Sequence, residues 1–258
     1  GSAGCVLANR LSEDPHASVL LLEAGGWDRD PWIHLPLGWG RILQKRLHDW
    51  MYFAEPSSTM NDRRIECARG KIVGGSSSIN AMAHYHGHRA DYDRWASLGL
   101  PGWSFDNVLP YFRRVETWHG PASDYRGVDG PLQTRYSSCD DPLCDAIVEA
   151  AKAQGIAYTD DYNGASQDGF ARIQMALRDG RRCSTASAYL RPAMHRAGLN
   201  VETGALVESI IIDKGRATGV RYLQNGQPHE VTATREVIVS GGAINSPQLL
   251  MLSGIGAP

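Results

Sequence analysis

The chain has 258 residues, of which 42% are hydrophobic and 21% charged, a composition typical of a globular protein of one or two domains. Its formal net charge of -2 excludes a strongly basic surface, so we expect no nucleic-acid partner. No apolar run approaches the roughly 20 residues that cross a bilayer, and no transmembrane anchor is expected. The odd number of cysteines and the lack of a CxxC pair favour a reducing, cytoplasmic compartment.

The N-terminal segment has the pattern of a dinucleotide-binding motif. Small residues lead a predicted helix from Gly4 to Leu11, and an apolar run from Val19 ends at Glu23. A glycine-led helix followed by a buried strand that ends in an acid matches the back half of a Rossmann fingerprint. Such glycines admit a pyrophosphate to the helix N-terminus, and the acid binds ribose hydroxyls. The alternative is that Gly1-Ser2 is a cloning scar and Gly4 is coincidental.

A second small-residue segment, Arg69 to Met82, contains two adjacent glycines, three serines and an asparagine. Its backbone N–H groups and hydroxyls suit a polar ligand, although an ordinary serine-rich turn has the same composition. Residues 82–88 then alternate like a strand, with His84, His86 and His88 on one side. Three imidazoles can bind a metal, but no acid or cysteine lies at the usual spacing, so we expect no metal site.

The remaining pattern predicts helices and strands that end in a meander. Helices are predicted at 91–98, 105–115, 141–154 and 185–196, and strands at 171–177, 199–203, 205–213, 217–223, around Val231 and at 237–239. Asn225-Gly226 signals a hairpin. A second small-residue turn, Ser240 to Pro247, precedes an apolar helix at 248–252. The Gly/Asp/Pro-rich segment 117–130 marks the expected boundary between lobes.

Together these segments resemble the glucose-methanol-choline (GMC) flavoprotein oxidoreductases. The first family signature matches Gly70 to Asn80 and continues through Gly87 to Trp95, and the second matches Gly241 to Gly256. The resemblance covers essentially the whole chain and looks most like the bacterial choline-dehydrogenase-like alcohol dehydrogenases and oxidases.

The resemblance implies an α/β fold, α+β overall, with a Rossmann-like FAD-binding lobe into which part of a second, substrate-binding lobe is inserted. Residues 1–116 would form the FAD-binding lobe with a flavin-covering excursion. Residues 117–196 would belong to the substrate-binding lobe, and residues 197–258 would continue the FAD-binding lobe. The first strand and the C-terminal part of that lobe would then be missing.

The resemblance also implies FAD as the cofactor, held at positions that match the family motifs. The implied residues are Gly1, Ser2 and Gly4 at the pyrophosphate, Glu23 at the ribose, Arg69 and Gly70 at the start of the loop, Ile72, Gly75 and Ser76 on the flavin half, Asn80, Ala81, Met82 and Ala83 along the isoalloxazine, Val207 at the adenine edge, and Gly241 and Gly242 on the opposite side. Some members attach FAD through a histidine at the position of Ile79. Isoleucine cannot form that bond, so we expect non-covalent FAD.

The activity that the resemblance implies is oxidation of an alcohol to an aldehyde or ketone. In that chemistry a base removes the hydroxyl proton while hydride passes to flavin N5, and oxygen or a quinone accepts the electrons. The family's base, a histidine paired with His or Asn, is expected beyond Pro258. No catalytic residue is therefore assigned within this chain, and nothing in the sequence selects one alcohol.

Three other interpretations remain open from the sequence. An FAD-containing hydroxynitrile lyase would share the scaffold without redox chemistry. A truncated, non-catalytic dinucleotide-binding protein would keep the same motifs. In a nicotinamide-dependent dehydrogenase, Glu23 would hold an NAD ribose, but the loop at residues 74–80 would have no role.

Overall fold

The structure is a computed structural model that describes residues 1–138 and 141–256. The chain forms two compact units: unit 1 comprises Gly1–Ala81 and Ser184–Pro258, and unit 2 comprises Met82–Cys183. The chain thus leaves unit 1 once and returns to it. The inserted segment consists of residues 82–183, and the assignment of residues 117–196 to a substrate-binding lobe stays a prediction.

The elements confirm the predicted mixed α/β class. The helices are α1 (Ser2–Leu11), α2 (Pro31–His34), α3 (Gly38–Gln44), α4 (Arg89–Ser97), α5 (Phe105–Val115), α6 (Pro142–Ala153), the π-helical Ala186–Leu190, α7 (Arg191–Ala193) and α8 (Gly242–Leu252), with short 3-10 helices at Ser58–Met60, Gly75–Ser78 and Pro101–Trp103. The strands are β1 (Val19–Glu23), β2 (Glu116–Trp118), β3 (Leu132–Tyr136), β4 (Gln174–Arg178), β5 (Arg181–Arg182), β6 (Leu199–Thr203), β7 (Ala205–Asp213), β8 (Arg216–Gln224) and β9 (Gln227–Thr232).

The segment 117–130, where the sequence suggested a boundary, lies inside unit 2 for a packing reason. α5 packs on α4 and on β2, which begins directly after it. Strand β2 pairs in parallel with β3, so the segment 117–130 lies inside unit 2 and joins two of its strands. Helix α4 and helix α5 consequently belong to unit 2.

In unit 1, β1 and β6 form a parallel pair in which Val19 faces Leu199 and Glu23 faces Thr203. The prediction that β6 belongs to the following meander is wrong, because β6 pairs with β1. Helix α1 packs on β1 and on the π-helical segment through small residues that permit close approach. The resulting core consists of Cys5, Ala8, Val73, Ala186, Leu190, Ala193 and Leu199.

The meander of unit 1 is the antiparallel sheet β7–β8–β9. Its β8–β9 hairpin turns at Asn225 and Gly226, whose φ values of 52° and 75° are those of the predicted Asn-Gly turn. The further strand predicted at residues 237–239 does not form. Those residues instead line a cavity of unit 1.

Helix α8 begins at Gly242, six residues before the predicted start at Gln248. Pro247 lies inside the helix and not at its first turn. Packing of α8 on β7 compensates for the hydrogen bond that an internal proline removes. Ser253 fixes the end of this packing, because its hydroxyl accepts a hydrogen bond from Ile210 N at 2.8 Å.

Unit 2 has a four-stranded sheet in the order β2–β3–β4–β5. The strand predicted at residues 82–88 is reduced to a single bridge between Ala83 and Met175. Left-handed φ values of 63° at Met82 and 84° at Gly87 interrupt the extended backbone. The N–H of His86 binds the Asn163 side chain instead of a neighbouring strand.

The cysteines only partly match the expectation of reduced thiols. Cys5, Cys67 and Cys183 keep their thiols, whereas Cys144 is disulfide-bonded, which contradicts the expectation at that residue. Among the described residues, no helix has both the length and the apolar composition needed to span a bilayer.

Candidate functional site

Unit 1 contains a cavity of about 770 Å³ that is lined by apolar and polar groups in similar amounts. One wall consists of β1 residues that end at Glu23, together with Asn200 and Glu202 of β6. Another wall runs from Val231 to Gly241. The volume lies within the range of roughly 300–1,000 Å³ found for sites of small molecules and cofactors.

The N-termini of two helices meet at this cavity. Gly1 and Gly241, the residues that precede α1 and α8, both line it. A Cβ on Gly1 would lie 3.5 Å from the Ser240 carbonyl oxygen, so the two termini are close neighbours. Neither terminus is capped by a side chain. Their free N–H groups and positive dipole ends therefore favour an anionic ligand such as a pyrophosphate.

The small-residue loop at residues 70–79 packs directly against the start of α1. Gly74 and Gly75 have φ values of 90° and 55°, a conformation that strongly favours glycine. The Ser2 hydroxyl donates to the Gly74 carbonyl at 3.1 Å and accepts from Ser77 N at 3.3 Å. These contacts hold the loop at the N-terminus of α1. A side chain larger than a hydrogen atom at this contact would push the loop and the helix apart.

The same loop is fixed from its other side by serine hydroxyls. Ser77 Oγ lies 2.9 Å from Thr185 Oγ1 and accepts from Thr185 N at 3.1 Å. Ser78, fully buried, donates to the Val73 carbonyl at 2.8 Å. Ser76 accepts from Gly70 N at 3.1 Å. The serines that the sequence suggested for ligand binding thus serve first to give the loop one rigid conformation.

Glu23 is buried at the end of β1 and lines the cavity. Its Oε1 accepts from Gly25 N at 2.9 Å. Gly25 permits this turn because a Cβ there would collide with the Lys71 backbone. The acid is therefore held in one orientation at the carboxyl end of a parallel strand, where α/β sheets bind ligands.

The predicted cofactor residues occupy several different environments. Gly1, Glu23, Gly70, Val207 and Gly241 line the cavity. Ser2 and Gly4 lie in the first turn of α1, and Gly242 begins α8. The rigid loop contains or adjoins Ile72, Gly75 and Ser76. Three further residues are exposed: Arg69, Asn80 and Ala81. Met82 and Ala83 belong to unit 2, where Met82 is buried and Ala83 is exposed.

Sequence reasoning missed several of the residues that line the cavity. Trp50 lies in the irregular segment that the sequence predicted only as an excursion. Asn245 lies in the second small-residue turn, where only the glycines were singled out. The wall at residues 231–239 was predicted in part as strand. The turn composition was the available signal for Asn245, but no local pattern indicates which loop residues meet a distant wall.

A buried polar network occupies the centre of unit 2. Arg126 Nε donates to Glu116 Oε2 at 3.0 Å, and Arg126 Nη1 donates to Asp161 and Gln174, both at 2.7 Å. The Thr134 hydroxyl also donates to Glu116. Burial raises the pKa of Glu116, but hydrogen bonds from its neighbours outweigh this effect, and the net pKa lies far below the usual range.

His84 and His86 approach the same carboxylate, with Nε2 atoms 3.4 Å and 3.8 Å from the nearer Glu116 oxygen. His86 stacks on Phe112, and burial, with a smaller contribution from His84, lowers its pKa to about 4. His88 is elsewhere, because its Nδ1 accepts from Ala90 N at the start of α4. The prediction that three histidines share one side is therefore wrong for His88.

The group His84, His86 and Glu116 has the composition of a metal site, and its ligand atoms lie within 4.8 Å of one another. However, Arg126 binds both oxygens of Glu116, and a cation there would face the guanidinium. The arrangement instead makes Glu116 the counter-ion of Arg126, with the imidazoles of His84 and His86 packed beside the pair. The absence of a metal stays a prediction.

Comparison with known proteins identifies the family of this chain. The GMC oxidoreductase family profile matches residues 1–258. The chain belongs to the GMC oxidoreductase family. It is 48% identical over 256 residues to an oxygen-dependent choline dehydrogenase of Rhizobium etli (strain CIAT 652), covering 99% of this chain and 46% of that protein. The chain therefore spans about half the length of the curated relatives that it matches.

Solved structures of GMC-like enzymes have the same fold. Pyridoxine 4-oxidase from Mesorbium loti is 35% identical with a TM-score of 0.93, covering 99% of this chain and 50% of that one. An FAD-dependent oxidoreductase from Chaetomium thermophilum is 30% identical with a TM-score of 0.91, covering 99% of this chain and 46% of that one. The GMC family and these structural neighbours are FAD-binding flavoproteins.

Proposed function

We propose that this chain forms the FAD-binding part of an enzyme that oxidises an alcohol to an aldehyde or ketone, with oxygen or a quinone as the electron acceptor. Unit 1 would hold the dinucleotide, and unit 2 would contribute to the substrate-binding lobe. The observation that carries the proposal is the cavity of about 770 Å³ at which two uncapped helix N-termini meet a buried acid. Membership of the GMC family supports the same assignment.

The residues present fit FAD in chemistry. The N–H groups at Gly1 and Gly241 suit the pyrophosphate, and Glu23 suits ribose hydroxyls at the strand end. Val207 of β7 also lines the cavity and would offer backbone groups to the adenine edge. The rigid loop from Gly70 to Ile79, packed on α1, would support the flavin half.

A non-covalent cofactor is part of the proposal. Ile79 is 8% exposed and packs in a cluster with Ile33, Ile42 and Ile72. An alkyl side chain in an apolar cluster offers no nitrogen for a bond to flavin. Shape and hydrogen bonding alone would therefore retain the cofactor.

Bound FAD supplies the hydride acceptor, and residues 1–258 supply binding and orientation. Glu23 and the helix N-termini would fix the dinucleotide along the cavity, and the loop held by Ser77 and Ser78 would fix its redox end. No histidine of the described residues lines the cavity, so the base that takes the hydroxyl proton is proposed to lie outside residues 1–258.

The relatives suggest which alcohol to test first. The 48% identity to a choline dehydrogenase makes choline, a primary alcohol, the first substrate to try. Pyridoxine is the second, because a pyridoxine 4-oxidase has the same fold at 35% identity.

Anaerobic mixing of the complete natural polypeptide with these alcohols tests the proposal. We expect the oxidised flavin absorption to bleach on addition of one of them and to return when oxygen or a quinone is admitted. Bound flavin that stays oxidised with all primary alcohols tried would contradict the redox activity and favour a lyase-type member. A protein without flavin would contradict the cofactor assignment as well.

A further inference from the structure

One hydrogen bond connects the excursion after α3 with the start of α8. The Tyr52 hydroxyl donates to Asn245 Oδ1 at 2.6 Å, across 193 positions of sequence. Asn245 lies in the first turns of α8 and lines the cavity. Both side chains are half-buried, and burial raises the pKa of Tyr52, so the hydroxyl remains a donor at neutral pH.

Tyr52 also supports a second part of the cavity wall. Its ring lies parallel to that of Trp50, with an interplanar angle of 8° and a centroid separation of 5.9 Å. Trp50 lines the cavity, and Lys71 Nζ lies 4.7 Å from its ring centroid. The indole is thus fixed by an offset stack and a cation–π contact. The hydrogen bond of Tyr52 therefore connects the part of the cavity wall at Trp50 with the part at the start of α8.

The segment that contains Trp50 and Tyr52 has a strained backbone, and hydrogen bonds from neighbouring residues hold it in place. His48 and Met51 have left-handed φ values of 57° and 61°. Non-glycine residues persist there only when surrounding contacts over-determine the conformation. Asp49 Oδ1 provides such contacts, because it accepts from the N–H groups of Met51 and Arg69, at 3.0 Å and 3.1 Å. The strained turn presents Trp50 and Tyr52 toward the other wall.

The hydrogen bond from Tyr52 also bears on the orientation of the Asn245 amide. Because Oδ1 accepts from the hydroxyl, Nδ2 is directed away from Tyr52. The two N–H groups of Nδ2 have no hydrogen-bond partner within residues 1–138 and 141–256. They lie at an uncapped helix N-terminus that already favours an anion.

We propose that Tyr52 and Asn245 form a clasp that closes the cavity over its dinucleotide and slows the release of the cofactor. This inference rests on the proposed function, since the ligand is the FAD assigned there. Tyr52 is a positioning residue: it holds Trp50 against the cavity and orients the Asn245 amide toward the ligand. Release of the dinucleotide requires this bond to break.

The test measures flavin release from the complete natural polypeptide purified with its cofactor. After dilution, the rise in flavin fluorescence gives the dissociation rate. We expect Tyr52→Phe, which keeps the ring stack and removes only the hydroxyl, to release flavin roughly two- to tenfold faster, the factor expected for one hydrogen bond. Asn245→Ala should release flavin at least as fast. Adding Tyr52→Phe to Asn245→Ala should cause no further change, because both remove one interaction.

Tyr136→Phe is the matched control. It also loses one hydroxyl hydrogen bond, to the Asp160 carbonyl at 2.7 Å in unit 2, and it should leave the release rate unchanged. A wild-type rate in Tyr52→Phe, or independent effects in the double variant, would overturn the clasp while leaving the FAD assignment intact. If Tyr52→Phe does not fold, an unchanged rate in Asn245→Ala would overturn the clasp equally. Wild-type protein without flavin would overturn both proposals.

Discussion

Gly75 lies so close to Gly1 that a Cβ built on Gly75 would stand 2.7 Å from the Gly1 Cα. The same Cβ on Gly75 would lie 3.1 Å from Ser2 N. The loop and the N-terminus of α1 therefore approach each other as closely as two backbones permit. Because Gly1 also lines the cavity, this contact determines where the N-terminus of α1 lies in the cavity wall.

Gly75→Ala should weaken flavin binding by separating the loop from α1. The new methyl group would push against the Gly1 backbone, and the left-handed φ of 55° adds strain. We expect a loss of roughly 1–3 kcal/mol of stability and a lower flavin-to-protein ratio after purification. Absorbance at the flavin and protein bands gives that ratio.

Gly40→Ala is the control for this substitution. A Cβ on Gly40, inside α3, would meet nothing within 4 Å. Alanine in a helix should leave stability unchanged or raise it by up to about 1 kcal/mol. Equal flavin content in the two variants would contradict the role of the Gly75–Gly1 contact.

Glu116→Gln should destabilise unit 2 strongly. Arg126 is 1% exposed and would keep only the partly buried Asp161 as an anionic partner. Removing one partner of a buried ion pair costs about 3–5 kcal/mol, and Asp161 should hold the loss to the lower end of that range. Asp106→Asn breaks an exposed ion pair with Arg89 and should cost less than about 1 kcal/mol. Urea unfolding monitored by fluorescence compares the two variants. Similar small effects would show that the buried pair is not essential to unit 2.

His86 should make stability depend on pH between about 4 and 6.5, its pKa in the folded protein and its ordinary value. Because the folded-state pKa is the lower one, the unfolded chain binds the proton first as the pH falls. The contribution is complete above pH 6.5 and is lost progressively toward pH 4, by roughly 3 kcal/mol in total. The titratable groups that act electrostatically on the ring are His84, Glu116, Arg126 and Asp161.

His86→Phe isolates this effect, since it retains a ring to stack on Phe112 and removes the titrating group. Unfolding free energies measured across the same pH range should fall less steeply for this variant than for wild type. His16→Phe, at an exposed position, should follow the wild-type curve. Parallel curves for His86→Phe and wild type would contradict the buried neutral imidazole.

The parts of the fold that the sequence predicted correctly depend on short-range patterns. The spacing from Gly4 to Glu23 encodes α1 and β1, and Asn225-Gly226 encodes a hairpin, because local backbone preferences determine both. The Gly74-Gly75 loop was found for the same reason, since two left-handed residues in succession favour glycine.

The features that the sequence did not predict depend on contacts between distant residues. Pro247 suggested a helix start, yet packing on β7 extends α8 back to Gly242. The alternation at residues 82–88 suggested a strand, yet the Asn163 side chain takes the N–H of His86. The Tyr52–Asn245 bond, across 193 positions, has no local signal at all.

Release of flavin on denaturation tests the central claim most directly. The complete natural polypeptide is precipitated with acid, and the supernatant and pellet are assayed for FAD. The cavity of unit 1 and the apolar Ile79 predict FAD in the supernatant, at about one molecule per polypeptide, with none on the pellet. A colourless protein that releases no flavin would contradict the assignment of this cavity to FAD.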